Sequence, residues 1–226
     1  TLRRVLDTAQ LLRRHDVTFN VLTVVTNDTA DKLDLVYDFF ARHDLRWQQY
    51  IPCLDAFGEN QGWLTVDKYA QFLCRLFDRW AEDVMQGRFI YIRQFENYLG
   101  MLLGRPPESC GMMGCCGMQY TVEADGSVYP CDFYVLDAYR LGSFVTDDFD
   151  ALDEKRHALR FVEDSAEKDA ECLKCRYYPL CRGGCRRDRD DGTGHLSRTR
   201  FCSAYMKFFD YALPRLQHIA ARCANR

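Results

Sequence analysis

Val17-Thr18-Phe19-Asn20-Val21-Leu22-Thr23-Val24-Val25 is a run of mostly β-branched and apolar residues with no strict polar alternation. Such a run reads as a strand buried on both faces of a parallel sheet, covered by helices from either side. On its N-terminal flank, Leu2, Val5, Leu6, Ala9 and Leu12 recur at helical spacing, with Arg3, Arg4, Arg13 and Arg14 on other faces. On its C-terminal flank, Asn27-Asp28-Thr29 offers helix caps, and Leu33, Val36, Tyr37 and Phe40 give the next amphipathic helix. A second strand is expected over 45–51, closed by Pro52, and then a loop over 53–64 that contains Gly58 and Gly62. Tyr69, Phe72, Leu73, Leu76, Phe77, Trp80 and Val84 mark the clearest helix, capped near Thr65 and stopped at Gly87. A short strand over 89–92 and a helix over 95–103, ending at Gly104, complete the pattern. Alternating strands and helices of this kind are βα units, which imply parallel strands with right-handed crossovers. Three such units make only part of a barrel or doubly wound sheet. The pattern also opens inside a helix at Thr1, so the expectation is the C-terminal portion of a longer chain.

The composition narrows the class. A net charge of −3 argues against a nucleic-acid surface. No apolar run is long enough to span a bilayer and no basic-then-apolar leader is present, so the expected setting is the cytoplasm with no membrane partner. In that reducing compartment twelve cysteines are ligands or core residues before they are disulfides.

After Pro106-Pro107 the chain becomes rich in Cys, Gly, Arg and Asp. Segments 119–123 and 127–129 flank Ala124-Asp125-Gly126, a hairpin signal in which Asp-Gly suits a type I′ turn. A short helix is expected over 149–161, a charged flexible loop over 186–200, and a helix over 201–220. The cysteines fall into two groups. The first is Cys110, Cys116 and Cys131, in which neighbouring Cys115 is an alternative to Cys116. The second is Cys172-x2-Cys175-x5-Cys181-x3-Cys185, followed by Cys202. Gly183-Gly184 permits close backbone approach, and Arg182, Arg186 and Arg187 would offset the negative charge of gathered thiolates. Eight ligands suit two four-cysteine sites, the ligand number of a [4Fe–4S] cluster; two zinc sites would use the same residues. Cys53, Cys74 and Cys223 read as buried or incidental thiols.

Four stretches carry a resemblance: Cys110-Gly-Met-Met-Gly-Cys-Cys116, Asp125-Gly-Ser-Val-Tyr-Pro-Cys-Asp-Phe-Tyr134, Cys181-Arg-Gly-Gly-Cys-Arg-Arg187 and Phe201-Cys-Ser-Ala-Tyr205. They resemble the SPASM domain of radical S-adenosylmethionine enzymes, most closely the anaerobic sulfatase-maturating enzymes. Residues 19–55 resemble late strands of the same enzymes' catalytic barrel. The resemblance implies an α/β fold: the C-terminal half of a partial (β/α) radical S-adenosylmethionine barrel over 1–105, a SPASM domain with a β-hairpin and short helices over 106–210, and a C-terminal helix over 211–226. It implies two auxiliary [4Fe–4S] clusters with crossed ligands. Cys110, Cys116, Cys131 and Cys185 would hold one, and Cys172, Cys175, Cys181 and Cys202 the other. It selects Cys116 over Cys115.

The family's catalytic Cys-x3-Cys-x2-Cys loop is absent from this sequence. S-adenosylmethionine and a third [4Fe–4S] cluster therefore belong to the full-length enzyme, and the portion alone is expected to be inactive. The implied reaction is oxidation of a sulfatase Cys or Ser to formylglycine, with a flavodoxin or ferredoxin as electron partner. Asp132 would be the general base, and Gln49, Tyr50 and Ile51 would meet the adenine of S-adenosylmethionine at a strand's carboxyl end. Rival readings are another peptide-modifying radical enzyme, or a non-catalytic iron–sulfur or zinc module.

Overall fold

In a computed structural model, which describes residues 2–57, 59 and 61–224, the chain divides into two units, Thr1–Ser109 with Phe201–Arg226, and Cys110–Arg200. Gly58, expected in the 53–64 loop, lies outside the described residues.

The first unit runs α1 (Leu2–Arg14), β1 (Val21–Val25), α2 (Asn27–Asp31), α3 (Leu33–Arg42), β2 (Trp47–Pro52), α4 (Val66–Met85), β3 (Tyr91–Ile92) and α5 (Arg93–Leu102). The final helix, Cys202–Ala224, returns to it. The strands lie in the order β1-β2-β3 and all pair in parallel, with Leu22 opposite Gln49 and Val24 opposite Ile51. Thr26, one residue ahead of the expected caps, caps α2: its Oγ1 accepts the Thr29 amide at 3.2 Å. Asn27 instead ties down the loop before α4, donating to Gly62 O at 2.8 Å and accepting from Thr65 N at 3.0 Å.

The sheet is buried on one face, not on both as the β1 run implied. Val25, Gln48, Tyr50 and Ile92 are buried, whereas Leu22 is 60% and Val24 55% exposed. The reason is that the described helices bury one side of the sheet only. On that side the Tyr50 ring meets Phe72 of α4, and its hydroxyl donates to Gln48 Oε1 at 2.8 Å. Gln48 in turn donates to Leu45 O at 2.9 Å, so the buried polar groups are satisfied.

The core of this unit is aromatic. Phe72, Phe77 and Trp80 of α4, Phe95 of α5, and Phe208 and Phe209 of the final helix are almost wholly buried. Phe77 meets Phe95 edge to face at 5.4 Å, and Trp80 Nε1 donates to Ile90 O at 3.1 Å. Because Phe208, Phe209, Ala212 and Leu216 are all buried on one helix, that helix is a single element. The break expected between 210 and 211 does not occur; the divisions fall after Ser109 and after Arg200.

The second unit contains α6 (Cys110–Met113), β4 (Thr121–Val122), β5 (Ser127–Tyr129), β6 (Gly142–Ser143), α7 (Phe149–Ala158), α8 (Phe161–Ala166), α9 (Ala170–Leu173) and α10 (Tyr178–Cys181). Its sheet is antiparallel, in the order β4-β5-β6, over a small core of Val128, Leu141 and Leu152. The hairpin exists but its turn is not type I′. Gly126 alone takes positive φ, at +85°, and donates to Glu123 O at 2.9 Å. The Asp125 carboxylate takes the Ser127 amide at 2.9 Å, which holds Asp125 in an ordinary conformation.

Segment 186–200 is not the flexible loop expected from its charge. Arg186, Asp188, Arg189 and Thr199 are buried, and Asp190 pairs with Leu196 in a bridge. Asp190 fastens the segment by accepting from Gly192 N, Gly194 N and the Tyr134 hydroxyl. No helix among the described residues is long and apolar enough to cross a membrane.

Candidate metal centre

The second unit gathers cysteines from three separate segments. Cys110 opens α6, and a Cβ added at Gly111 would stand 3.5 Å from Cys185 Cβ. Gly114 turns the chain at φ +86°, where a Cβ would lie 3.2 Å from Arg182 Cβ. Cys116 follows, its amide donating to the Ser165 hydroxyl at 2.7 Å, and that hydroxyl donates in turn to Val162 O at 2.5 Å. Cys131 leaves β5 and begins the short 3₁₀ turn Asp132–Tyr134. Cys185 begins a second such turn, Arg186–Asp188.

The thiols sense one another. Burial pushes the Cys116 thiol up, and Cys110 adds to this against Ser165, Arg186 and Arg189. Cys131 is pushed up to about 12 by burial, with Asp132 and Cys116 adding. Cys185 is raised by burial, then by Asp188, Cys110 and Cys116. Thus Cys110, Cys116, Cys131 and Cys185 form one neighbourhood, although 75 positions of sequence numbering separate the first from the last. Burial favours the neutral form of the Cys116, Cys131 and Cys185 thiols, and a cationic group bound there would stabilise their thiolates. Among the described residues no three His, Cys, Asp or Glu side chains stand close enough to share a single metal ion, so the four are neighbours and not a closed coordination sphere.

Cys172 lies in α9, which Asp169 caps by accepting Glu171 N at 2.8 Å. Cys175 donates its amide to Cys172 O, Tyr178 to Cys175 O, and Cys181 to Tyr177 O, so the segment winds in consecutive tight turns. Arg182, Gly183 and Gly184 then take φ of +51°, +88° and +75°, a left-handed step that delivers Cys185 to the first group. Cys202 opens the final helix, in the other unit. Among the described residues none of the twelve cysteines is joined in a disulfide. Cys115 is exposed; Cys53 and Cys74 are half-buried and Cys223 is exposed.

Asp132 is exposed, and its carboxylate accepts from Cys131 Sγ at 3.3 Å. In the first unit Gln49 and Ile51 share the open sheet face with Leu22 and Val24, whereas the Tyr50 side chain is sealed on the opposite face. Arg93 reaches Gln49 Oε1 at 3.0 Å.

Of the arginines picked out by sequence, Arg186 is buried, and Arg182 and Arg187 are half-buried. Three residues were missed. Arg189 is buried beside Cys116 and Cys185. Ser165 is buried under Cys116. Lys168 has its ammonium on Ser165 O, Ala166 O and Glu167 O. Burial lowers the Lys168 pKa while Cys115, Cys116 and Cys172 oppose that shift, which places the ammonium near both cysteine groups. No spacing rule marks these three; the only signal was the density of basic residues around Cys185.

Residues 112–176 match the SPASM model, an iron–sulfur cluster-binding domain. The chain is 38% identical over 99% of its length to a cysteine-type anaerobic sulfatase-maturating enzyme of Clostridium novyi. It is 41% identical over 97% to one of Clostridium perfringens. It spans 61% of the length of each. A solved structure described as native anSMEcpe with bound AdoMet and Kp18Cys peptide superposes with a TM-score of 0.91 at 41% identity, over 98% of this chain and 63% of that one. By sequence and by fold, then, this chain is a relative of the anaerobic sulfatase-maturating enzymes, and its cysteine-rich unit carries a SPASM iron–sulfur cluster-binding domain.

Proposed function

We infer that this chain is the part of a radical S-adenosylmethionine enzyme that carries two auxiliary [4Fe–4S] clusters, and that the whole enzyme oxidises a cysteine of a sulfatase polypeptide to formylglycine. The observation that carries the reading is the meeting of Cys110, Cys116, Cys131 and Cys185 beside Asp132. These four are the first ligand set; Cys172, Cys175, Cys181 and Cys202 are the second. The similarity to enzymes named cysteine-type favours a cysteine over a serine as the target.

The donor set fits such a group. Cys116, Cys131 and Cys185 are half-buried thiols raised by burial, and two guanidiniums lie buried beside the set. When bound, the clusters supply one-electron chemistry and S-adenosylmethionine the radical that removes a Cβ hydrogen. The residues of this chain do the rest. Asp132, which follows Cys131 directly and opens the short turn Asp132–Tyr134 at the edge of the first site, accepts the substrate's thiol proton at its carboxylate. The three parallel strands are a segment of the catalytic barrel, and their open face is its interior wall. Gln49 and Ile51 present side chains to that interior, where S-adenosylmethionine binds; Tyr50 can offer only its main chain. A flavodoxin or ferredoxin serves as the electron partner.

The test is analysis of the anaerobically reconstituted chain. About eight iron and about eight sulfide per chain are expected, from two four-cysteine sites. Stoichiometric zinc without sulfide would replace the cluster reading with a zinc-stabilised module.

A further inference from the structure

Arg186 and Arg189 are 5% and 3% exposed, and among the described residues neither forms an ion pair with a carboxylate. Arg186 Nη1 donates to Phe161 O at 2.7 Å, and its guanidinium lies over the Phe161 ring at 4.5 Å and the Tyr134 ring at 5.5 Å. Arg189 Nη1 donates to Glu167 O at 2.7 Å and Nη2 to Ser165 O at 2.5 Å. The Nε of each is buried with no acceptor. Arginine stays ionised when buried, so these are two fixed positive charges met by carbonyl dipoles, ring faces and, for Arg186, the Tyr134 hydroxyl. Asp188, between them in sequence, does not neutralise them. It is matched by Arg200, whose Nε lies 3.6 Å from Asp188 Oδ1.

Both guanidiniums are tied to the first cysteine set. Arg186 directly follows Cys185. Arg189 bonds the carbonyl of Ser165, whose hydroxyl accepts the Cys116 amide. A cubane with four thiolates carries roughly two negative charges, and about three after taking up an electron. A buried cation is costly unless an anion is brought to it, and it favours the more negative state of that anion.

We propose that Arg186 and Arg189 are the fixed counter-charge of the first site, setting how readily the cluster held by Cys110, Cys116, Cys131 and Cys185 accepts an electron. This rests on the cluster reading above. The reduction is a one-electron uptake from a low-potential donor, with no bond formed or broken. Arg186 and Arg189 are positioning residues in it; they act through the cluster's ligands and environment.

Two substitutions separate charge from hydrogen bonding: Arg189→Gln keeps amide donors and loses the charge, and Arg189→Lys keeps the charge. The readout is a mediated redox titration of the reconstituted protein, followed by electron paramagnetic resonance. In Arg189→Gln one of the two cluster midpoints should fall by the equivalent of a tenfold or greater shift in the reduction equilibrium, about 59 mV for a one-electron couple. The other midpoint should stay, and Arg189→Lys should match the parent. Equal shifts in both variants, or none in Arg189→Gln, would overturn the proposal. If Arg189→Gln fails to assemble the first cluster while Arg189→Lys assembles it, the requirement for charge stands; failure of Arg189→Lys as well assigns Arg189 a purely structural role. A parent protein that binds no iron and sulfide would sink the cluster reading itself.

Discussion

Asp132 is exposed and directly follows Cys131 on the short turn that begins there. A carboxylate in that position can take a proton from a substrate that docks at the edge of the site. A well-placed base contributes roughly 10²–10⁴-fold to rate. Asp132→Asn in the intact enzyme should therefore keep its iron and still cleave S-adenosylmethionine, while the yield of formylglycine in a peptide assay falls by about that factor. Near-normal yield would leave Asp132 as a turn residue. Glu96 makes a second case at this scale. Burial raises its pKa to about 7, with Glu108 adding and Trp80 opposing. Between its ordinary value of 4.5 and about 7 the folded chain holds a proton that the unfolded chain has released. Stability should thus decline as pH rises through that window, the penalty being absent below it and complete above it. Glu96→Gln should raise the urea midpoint at pH 8 and leave it unchanged at pH 4; an equal change at both would trace the effect to packing. Individual residues were unevenly legible. The cysteines announced themselves by type and spacing. Arg189 and Ser165 did not, because what distinguishes them is burial beside Cys116, and a polar residue's burial is set by segments far away in sequence.

Between Cys181 and Cys185 the backbone takes a left-handed path that a sequence can signal through its glycines. At Gly183 the demand is double: φ is +88°, and a Cβ would come within 2.8 Å of Lys168 Cδ. Gly183→Ala should cost about 1–3 kcal/mol and weaken iron retention, whereas Gly117→Ala, with ordinary φ and nothing within 4 Å of the added Cβ, should do neither. Iron content after gel filtration, together with the thermal midpoint, reads both effects. The crossed ligand sets meet in the same short step. Cys181→Ala and Cys185→Ala should each remove about half the iron but different spectral components; loss of the same component in both would undo the crossing. The helices and parallel strands of the first unit were readable because period and caps agree, as at Thr65 and Gly87. The misreadings share one cause. Leu22 and Val24 have the composition of a doubly covered strand, but what covers a strand is not written in the strand. The 186–200 segment is charged enough to suggest solvent, yet Asp190 and Tyr134 fasten it.

The two units are held by different means. Among the described residues, of the twelve largest fully buried side chains only Tyr134 and Phe161 lie in Cys110–Arg200; the rest build the aromatic core of α4, α5, the final helix and the elements around them. Among the described residues the second unit has one small apolar cluster, Val128, Leu141 and Leu152 with Tyr120 and Leu159 packed on it, and a small aromatic one of Tyr134, Tyr139 and Phe161. A core that small contributes little against the entropy of ordering ninety-one residues, and buried Arg186 and Arg189 subtract from it when no anion is present. Burial of an aromatic side chain contributes on the scale of 3–5 kcal/mol, as its truncation to alanine reveals. The first unit has many such residues and should fold without metal. In the second, ligation of the proposed clusters would contribute folding free energy. Hydrogen exchange on the reconstituted chain, before and after anaerobic chelation of its iron, should show this directly. Amides of β5, α8 and α10 should lose protection by orders of magnitude when iron is stripped, while those of α4 and α5 keep theirs. Uniform loss across both units would mean that the metal stabilises the chain as one cooperative block. Unchanged protection in the second unit would mean that hydrogen bonds such as Cys116 to Ser165 and Tyr134 to Asp190 suffice to hold it, leaving the cysteines free to serve electron transfer alone.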